Sequence, residues 1–238
     1  MKTKIYLFSA FLILGACIIF TSSCKKDDPV EAETGTVTDA DGNVYKTVKI
    51  GTQTWMAENL KTTKYRNGDA IPEVTEDDEW MYLFTGAYCN CYNDVNNVTL
   101  YGRLYNWYAV TDSRNIAPAG WHVPSEEEWK ILSDFLGGED IAGGKLKSTG
   151  NTEDGNGLWF SPNTGASDEF GFKALPGSCR DSELGKFLGF LGDVGYWWAS
   201  TSYSNGQAYS RRTVFHSSVL EKKIMYKQSG FSLRCVKD

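Results

Sequence analysis

The side chains with most chemistry to offer in this 238-residue chain are six cysteines and two histidines. Thiolates and imidazoles together can hold zinc. Cys89-Asn90-Cys91, however, has a single intervening residue, against about two to four in zinc knuckles, and only His122 and His216 could add nitrogen. Cys89, Cys91, Cys179 and Cys235 therefore read as disulfide candidates if the chain works in an oxidising compartment, and four cysteines allow three connectivities. No metal site is assigned. His122 lies between Trp121 and Val123-Pro124, the setting of a packed, hydrogen-bonded histidine rather than a general base.

Carboxylates are the other candidates. Glu126-Glu127-Glu128 follows Pro124-Ser125, and Ser125 with Glu128 three places on makes a capping box, so helix capping accounts for the run without acid–base chemistry. Asp39-Ala40-Asp41-Gly42-Asn43 lacks the further ligands and distal Glu of an EF-hand and reads as a Gly-containing turn. The loops Glu76 to Glu79 and Asn93 to Asn97 could hold calcium but read as solvated acidic loops, and no cofactor is assigned. Glu58 and Asp168 are dispersed carboxylates that an enzyme acting on glycans could use, a pairing only distances can test. There is no Gly-x-Ser-x-Gly, no His-Glu-x-x-His and no phosphate-binding lysine loop, so no catalytic residue is assigned.

Aromatic content is 14%, with 8 Trp and 13 Tyr. Loop-borne rings can stack on sugars or dock a protein, which makes Trp80, Tyr92 and Trp159 the candidate ligand-binding residues; core packing is the competing use of each. A formal charge of −6 and a pI near 5.1 exclude a nucleic-acid binder that relies on phosphate attraction.

The N-terminus decides where any such chemistry happens. Lys2 and Lys4 precede an uncharged apolar run, Ile5 to Phe20, and then Thr21-Ser22-Ser23-Cys24, the order of a secretory signal. The run is shorter than the roughly 20 residues a membrane-spanning helix needs. Residues 1–23 are thus a signal peptide and Cys24 the lipidated residue. Leu14-Gly15-Ala16-Cys17 competes, but cleavage there would cut the apolar core short. Cys24-Lys25-Lys26-Asp27-Asp28 also resembles the start of lipoproteins of Bacteroidota-type bacteria, in which such a cluster accompanies display on the outer face of the outer membrane. The expected partner is therefore a membrane, reached through the lipid anchor.

Residues 24–35 read as lipidated cysteine and flexible tether, and 36–238 as a single domain. Val44 to Ile50, Gly51-Thr52 and Gln53 to Ala57 make a hairpin. Arg103 to Val110 reads as a short buried helix, and a second helix follows Ser125. Gly138 to Gly171 reads as a long loop. Strands are expected at Tyr196 to Ser202, Ala208 to Phe215, Ser218 to Ile224 and Gly230 to Val236, the last half-buried by its alternation. The fold class is α+β.

Blocks along the chain resemble the Fibrobacter succinogenes major paralogous domain, in order: Gly51-Thr52-Gln53-Thr54-Trp55-Met56-Ala57-Glu58-Asn59-Leu60, Tyr101-Gly102-Arg103-Leu104-Tyr105-Asn106-Trp107-Tyr108-Ala109-Val110, Gly120-Trp121-His122-Val123-Pro124, Gly143-Gly144-Lys145-Leu146-Lys147, Ala174-Leu175-Pro176-Gly177 and Gly230-Phe231-Ser232-Leu233-Arg234-Cys235-Val236. The resemblance implies an exported, often lipid-anchored domain with a C-type-lectin-like fold, as in formylglycine-generating enzymes: two short helices in the first half, then antiparallel hairpins and long loops. Cys89 and Cys235 match family cysteines and Cys91 and Cys179 are extra, which implies the bridges Cys89–Cys235 and Cys91–Cys179. The paired catalytic cysteines of formylglycine-generating enzymes have no counterpart here. The function expected is a surface-exposed, non-catalytic binding module for glycan or protein ligands, with an extracellular enzyme acting on glycans as the alternative.

Overall fold

Alternating residues build the first sheet. The computed structural model describes residues 34–238; the expected signal peptide, residues 1–23, and Cys24 lie outside the described residues. Strands β1 (Thr34–Thr38) and β2 (Val44–Ile50) pair across the Asp39–Asn43 turn. There Asp39 Oδ1 accepts the backbone N–H groups of Asp41 and Asn43, each at 2.9 Å, and Gly42 takes φ +84°. β2 then turns at Gly51-Thr52 into β3 (Gln53–Met56), with Ile50 opposite Gln53 and Gly51 at φ +60°. This is the two-residue hairpin expected from the sequence. Strand β1 begins at Thr34, two residues before the expected start of the domain at 36.

The middle of the chain is irregular. Short helices α1 (Asp77–Met81), α2 (Val98–Tyr101) and α3 (Trp107–Val110) alternate with β4 (Tyr88–Asn90) and β5 (Arg103–Tyr105), which pair antiparallel. The single helix expected over Arg103 to Val110 is therefore a strand followed by one helical turn. Asn106 separates them: its side chain accepts the Ala109 N–H as an N-cap and also that of Ala87.

After β6 (Trp121–His122) comes α4 (Glu126–Phe135), whose capping box is complete. Ser125 Oγ accepts the Glu128 N–H at 3.2 Å, and Glu128 Oε2 accepts the Ser125 N–H at 2.7 Å. Trp129 and Leu132 are buried from this helix, but Phe135 is exposed, which narrows the expected apolar face. α5 (Glu139–Leu146) corrects the expected loop at Gly138 to Gly171. Its glycines serve close packing: a Cβ on Gly143 would lie 2.3 Å from the Val219 carbonyl oxygen, and one on Gly144 2.7 Å from that of Gly165. Composition alone reads such glycines as loop.

The last third supplies the hairpin β7 (Cys179–Arg180) and β8 (Phe187–Leu188), then β9 (Val194–Ser202), β10 (Gln207–Val214) and β11 (Glu221–Tyr226) in a three-stranded antiparallel sheet ordered β11-β10-β9. β12 (Val236–Lys237) closes the first sheet in the order β1-β2-β3-β12-β6. The expected half-buried strand at Gly230 to Val236 is instead a segment buried on all sides, joined to its neighbours by single bridges at Gly230, Phe231 and Ser232. The described residues fall within one compact unit, Ala32–Asp238, of class α+β. Trp55, Trp129 and Phe172 centre one core cluster; the two indoles lie 4.8 Å apart, and such pairs add about 0.5–1.5 kcal/mol beyond their buried area. No helix among the described residues is long and apolar enough to cross a membrane.

Buried cations hold the irregular segments. Arg234, fully buried, donates from Nε to Asn59 Oδ1 at 2.9 Å, from Nη1 to the Met56 and Phe172 carbonyls, and from Nη2 to the Lys173 carbonyl at 2.6 Å. Arg180 caps the Gly185, Val74 and Thr75 carbonyls. Lys147 Nζ donates to the carbonyls of Val214, Phe215 and Ser217. Replacing Arg234 by Met leaves these acceptors without donors in a dry interior. The expected loss is about 3 kcal/mol, read as a fall in the urea midpoint.

His122 bridges two elements. Its Nε2 lies 2.7 Å from Glu128 Oε1 and its Nδ1 2.6 Å from Asp238 Oδ1. Partial burial pulls the imidazole pKa down from 6.5, but the hydrogen bonds to Asp238 and Glu128 and their negative charges outweigh it, so the pKa is raised. A raised histidine pKa stabilises the fold fully below the unfolded pKa and loses that contribution as pH rises through the folded value. The melting-temperature gap between wild type and His122→Gln should therefore be widest just below pH 6.5 and shrink on going to pH values above the folded pKa.

Candidate functional site

Strand alternation divides two adjacent arginines between opposite faces of the three-stranded sheet. Arg211 points to the helical side, where it donates to Glu126 and Glu139, both at 2.5 Å. Burial raises the Glu126 pKa, and Arg211 opposes that rise. Arg212 points the other way, into a cleft of about 560 Å³ between this sheet and the β7–β8 hairpin.

The cleft floor is a row set by register. Tyr196 of β9 lies opposite Arg212 of β10, which lies opposite Glu221 of β11. Arg212 Nη2 donates to both Glu221 oxygens at 2.8 and 2.7 Å, and Lys223 approaches Glu221 at 2.8 Å. Burial pushes the Glu221 carboxyl up, but the hydrogen bonds from Arg212 and Lys223 win and its pKa is lowered. Tyr196 stacks on Phe231 with centroids 4.6 Å apart and planes 11° apart, and its hydroxyl lies 3.4 Å from Arg212 Nη1. This fixes the row.

Around it stand groups with capacity to spare. Asp193 lines the cleft, and its carboxylate has no hydrogen bond or ion pair among the described residues. Asp181 spends one oxygen on the Glu183 and Leu184 N–H groups. His216 touches only the Phe215 ring. Ser229, 1% exposed, lines the cleft with its hydroxyl unpartnered, and Arg212 Nε is likewise buried without an acceptor. Part of the lining is apolar: Leu188, 42% exposed, stands there with Val194, Val214 and Met225. A polar floor under an apolar rim is the composition of a binding site. No group of three or more His, Cys, Asp or Glu side chains among the described residues is placed to hold a metal.

The sequence candidates divide. Trp80 and Trp159 are fully buried and belong to the core, contrary to expectation. Arg180 Cζ lies 4.5 Å from the Trp80 ring, and Trp159 Nε1 donates to the Ala174 carbonyl at 3.1 Å. Large rings gain most by leaving water, and the buried cations give these two a place to do so. Tyr92 is part-exposed, stacks on Phe187 at 5.0 Å and donates its hydroxyl to the Gly189 carbonyl, so it buttresses the cleft rim.

Glu58 and Asp168 each have a structural partner. Glu58 accepts the Lys46 N–H and pairs with Lys61; Asp168 accepts the Lys173 N–H. Both carboxylates instead act on Arg234: burial pulls its pKa down, and their fields oppose that. The loop Glu76, Asp77, Asp78 and Asn93 lines an open acidic hollow in which Asp77 pairs with Arg180.

The two expected disulfides are absent, and Cys89, Cys91, Cys179 and Cys235 are buried free thiols. Cys89 packs with Trp80 and Leu104, whereas Cys235 belongs to a separate cluster with Phe231 and Leu233. Burial pushes the Cys89 and Cys179 thiols up to about 12 and raises those of Cys91 and Cys235 as well, so all four are protonated near neutrality.

Tyr196, Arg212, Glu221 and Asp193 were not legible as a site in the sequence. The one signal was Arg211-Arg212 inside an alternating strand, since an alternating strand must send one of the two to each face.

A family model described as Fibrobacter succinogenes major domain matches residues 48–237. No curated protein and no solved structure matches the chain.

Proposed function

The chain belongs to the Fibrobacter succinogenes major domain family, and from that premise we propose that it is a surface-anchored, non-catalytic binding module for glycan or protein ligands. The observation that carries this reading is the cleft. Its Tyr196–Arg212–Glu221 row is set by strand register and hydrogen bonds, Asp193 and Ser229 are left with free hydrogen-bonding capacity, and Leu188 keeps exposed apolar surface in its lining. Exposed apolar surface is costly to keep without a partner to cover it. Carboxylates with defined structural partners, Glu58 and Asp168 among them, favour binding over turnover.

The finer architecture assigned here is C-type-lectin-like. Supporting it, strands from the two ends of the described chain share one sheet, where β12 pairs with β3, and consecutive helices α4 and α5 pack on the three-stranded sheet. The anchor is Cys24, which makes the protein a lipoprotein of the outer membrane, facing outwards.

Two measurements test this. A glycan array probed with residues 25–238 should retain ligand without releasing shorter products; product release would overturn the non-catalytic reading. In cells, Cys24→Ala should move the protein from the membrane to the soluble fraction and abolish lipid labelling, while Cys17→Ala changes neither. The reverse pattern would place the lipid on Cys17.

A further inference from the structure

The groups in the cleft narrow its ligand, on the reading just given that the cleft is the binding site. Arg212 is already matched by Glu221 through both carboxylate oxygens, so its charge is spent within the protein. What remains open is a mixture: an acceptor at Asp193, a donor at Arg212 Nε, and a hydroxyl at Ser229 that can do either. Ser229 is 1% exposed yet unpartnered, the independent sign that something polar is meant to reach this floor.

We propose that the cleft holds a neutral saccharide, its hydroxyls donating to Asp193 and bridging Ser229, and its C–H groups covering Leu188. Sugar hydroxyls donate and accept from the same atom, which is what a floor of mixed donors and acceptors requires. An anionic sugar would meet Asp181, Asp193 and Glu221 with the Arg212 charge already neutralised. A lysine side chain would find Asp193 but leave the Arg212 and Ser229 donors unmatched. Leu188, 42% exposed, lines the cleft and supplies apolar surface that the C–H groups of a sugar can cover. A volume of about 560 Å³ suits a short saccharide segment.

The test is calorimetric titration of the full chain in a polyoxyethylene detergent with cellohexaose, xylohexaose and mannohexaose as neutral probes, and with hexagalacturonate and tetralysine as charged ones. At least one neutral hexasaccharide should bind about tenfold or more tightly than either charged probe. Asp193→Asn and Leu188→Ala should each weaken it by about tenfold, with melting temperatures unchanged. Leu184→Ala, at an exposed leucine that does not line the cleft, should leave affinity as in wild type. Tighter binding of hexagalacturonate or tetralysine, lost in Asp193→Asn or Leu188→Ala, would overturn the neutral saccharide and leave the cleft standing. Neutral binding indifferent to both substitutions would overturn the cleft itself. Absence of binding by all three neutral probes would overturn the saccharide assignment.

Discussion

The fold depends on supplying donors to buried backbone carbonyls that no helix or strand satisfies. Long stretches of this chain have no regular structure, yet many lie in the interior, where an unpaired carbonyl is costly. Arg180, Arg234 and Lys147 meet that demand, each reaching several carbonyls from one long side chain. A cation without a carboxylate partner is ordinarily expensive to bury. Arg180 has Asp77 beside it, whereas for Arg234 and Lys147 the carbonyl dipoles take the place of a bonded counter-ion and aromatic rings cover the remaining surface, with Arg234 4.2 Å from the Phe172 ring and Lys147 5.4 Å from Trp159.

That arrangement ties distant segments together. Asn59 receives Arg234 Nε and the Trp197 indole N–H on the same oxygen, 2.9 and 3.0 Å away, and donates to the Tyr101 carbonyl at 2.9 Å. One amide thus joins the chain end, β9 and the loop after β3. β9 also carries Tyr196 on the cleft face, beside Trp197 on the core face. The rigidity of the core is therefore passed to the cleft floor through adjacent residues of one strand. The rim differs: the β7–β8 hairpin offers Leu188 to solvent, and the Leu188 and Gly189 carbonyls are held by side-chain bonds from Ser178 and Tyr92. A rigid polar floor with a less deeply packed apolar mouth suits capture of an external ligand.

Much of this was legible in the residues. The β2–β3 hairpin, the capping box at Ser125 and Glu128 and the strands β9 and β10 all rest on local rules, namely turn conformation, N–H satisfaction and alternation. Misreadings came where one residue type serves two purposes. The Gly143-Gly144 pair, taken as loop, lies in a helix because another backbone passes within contact distance. Trp80 and Trp159, taken as surface rings in loops, are core because buried cations elsewhere in the chain hold those loops inside.

By itself the sequence determined the α+β class, the family and the helix and turn signals, since each depends on residues close together in the chain. Only the tertiary structure decided which aromatics reach solvent, that the four cysteines are buried free thiols, and that Tyr196, Arg212 and Glu221 form one row. The physical reason is register. Side chains on neighbouring strands meet or miss according to a pairing fixed by the whole sheet, and no local pattern encodes that choice.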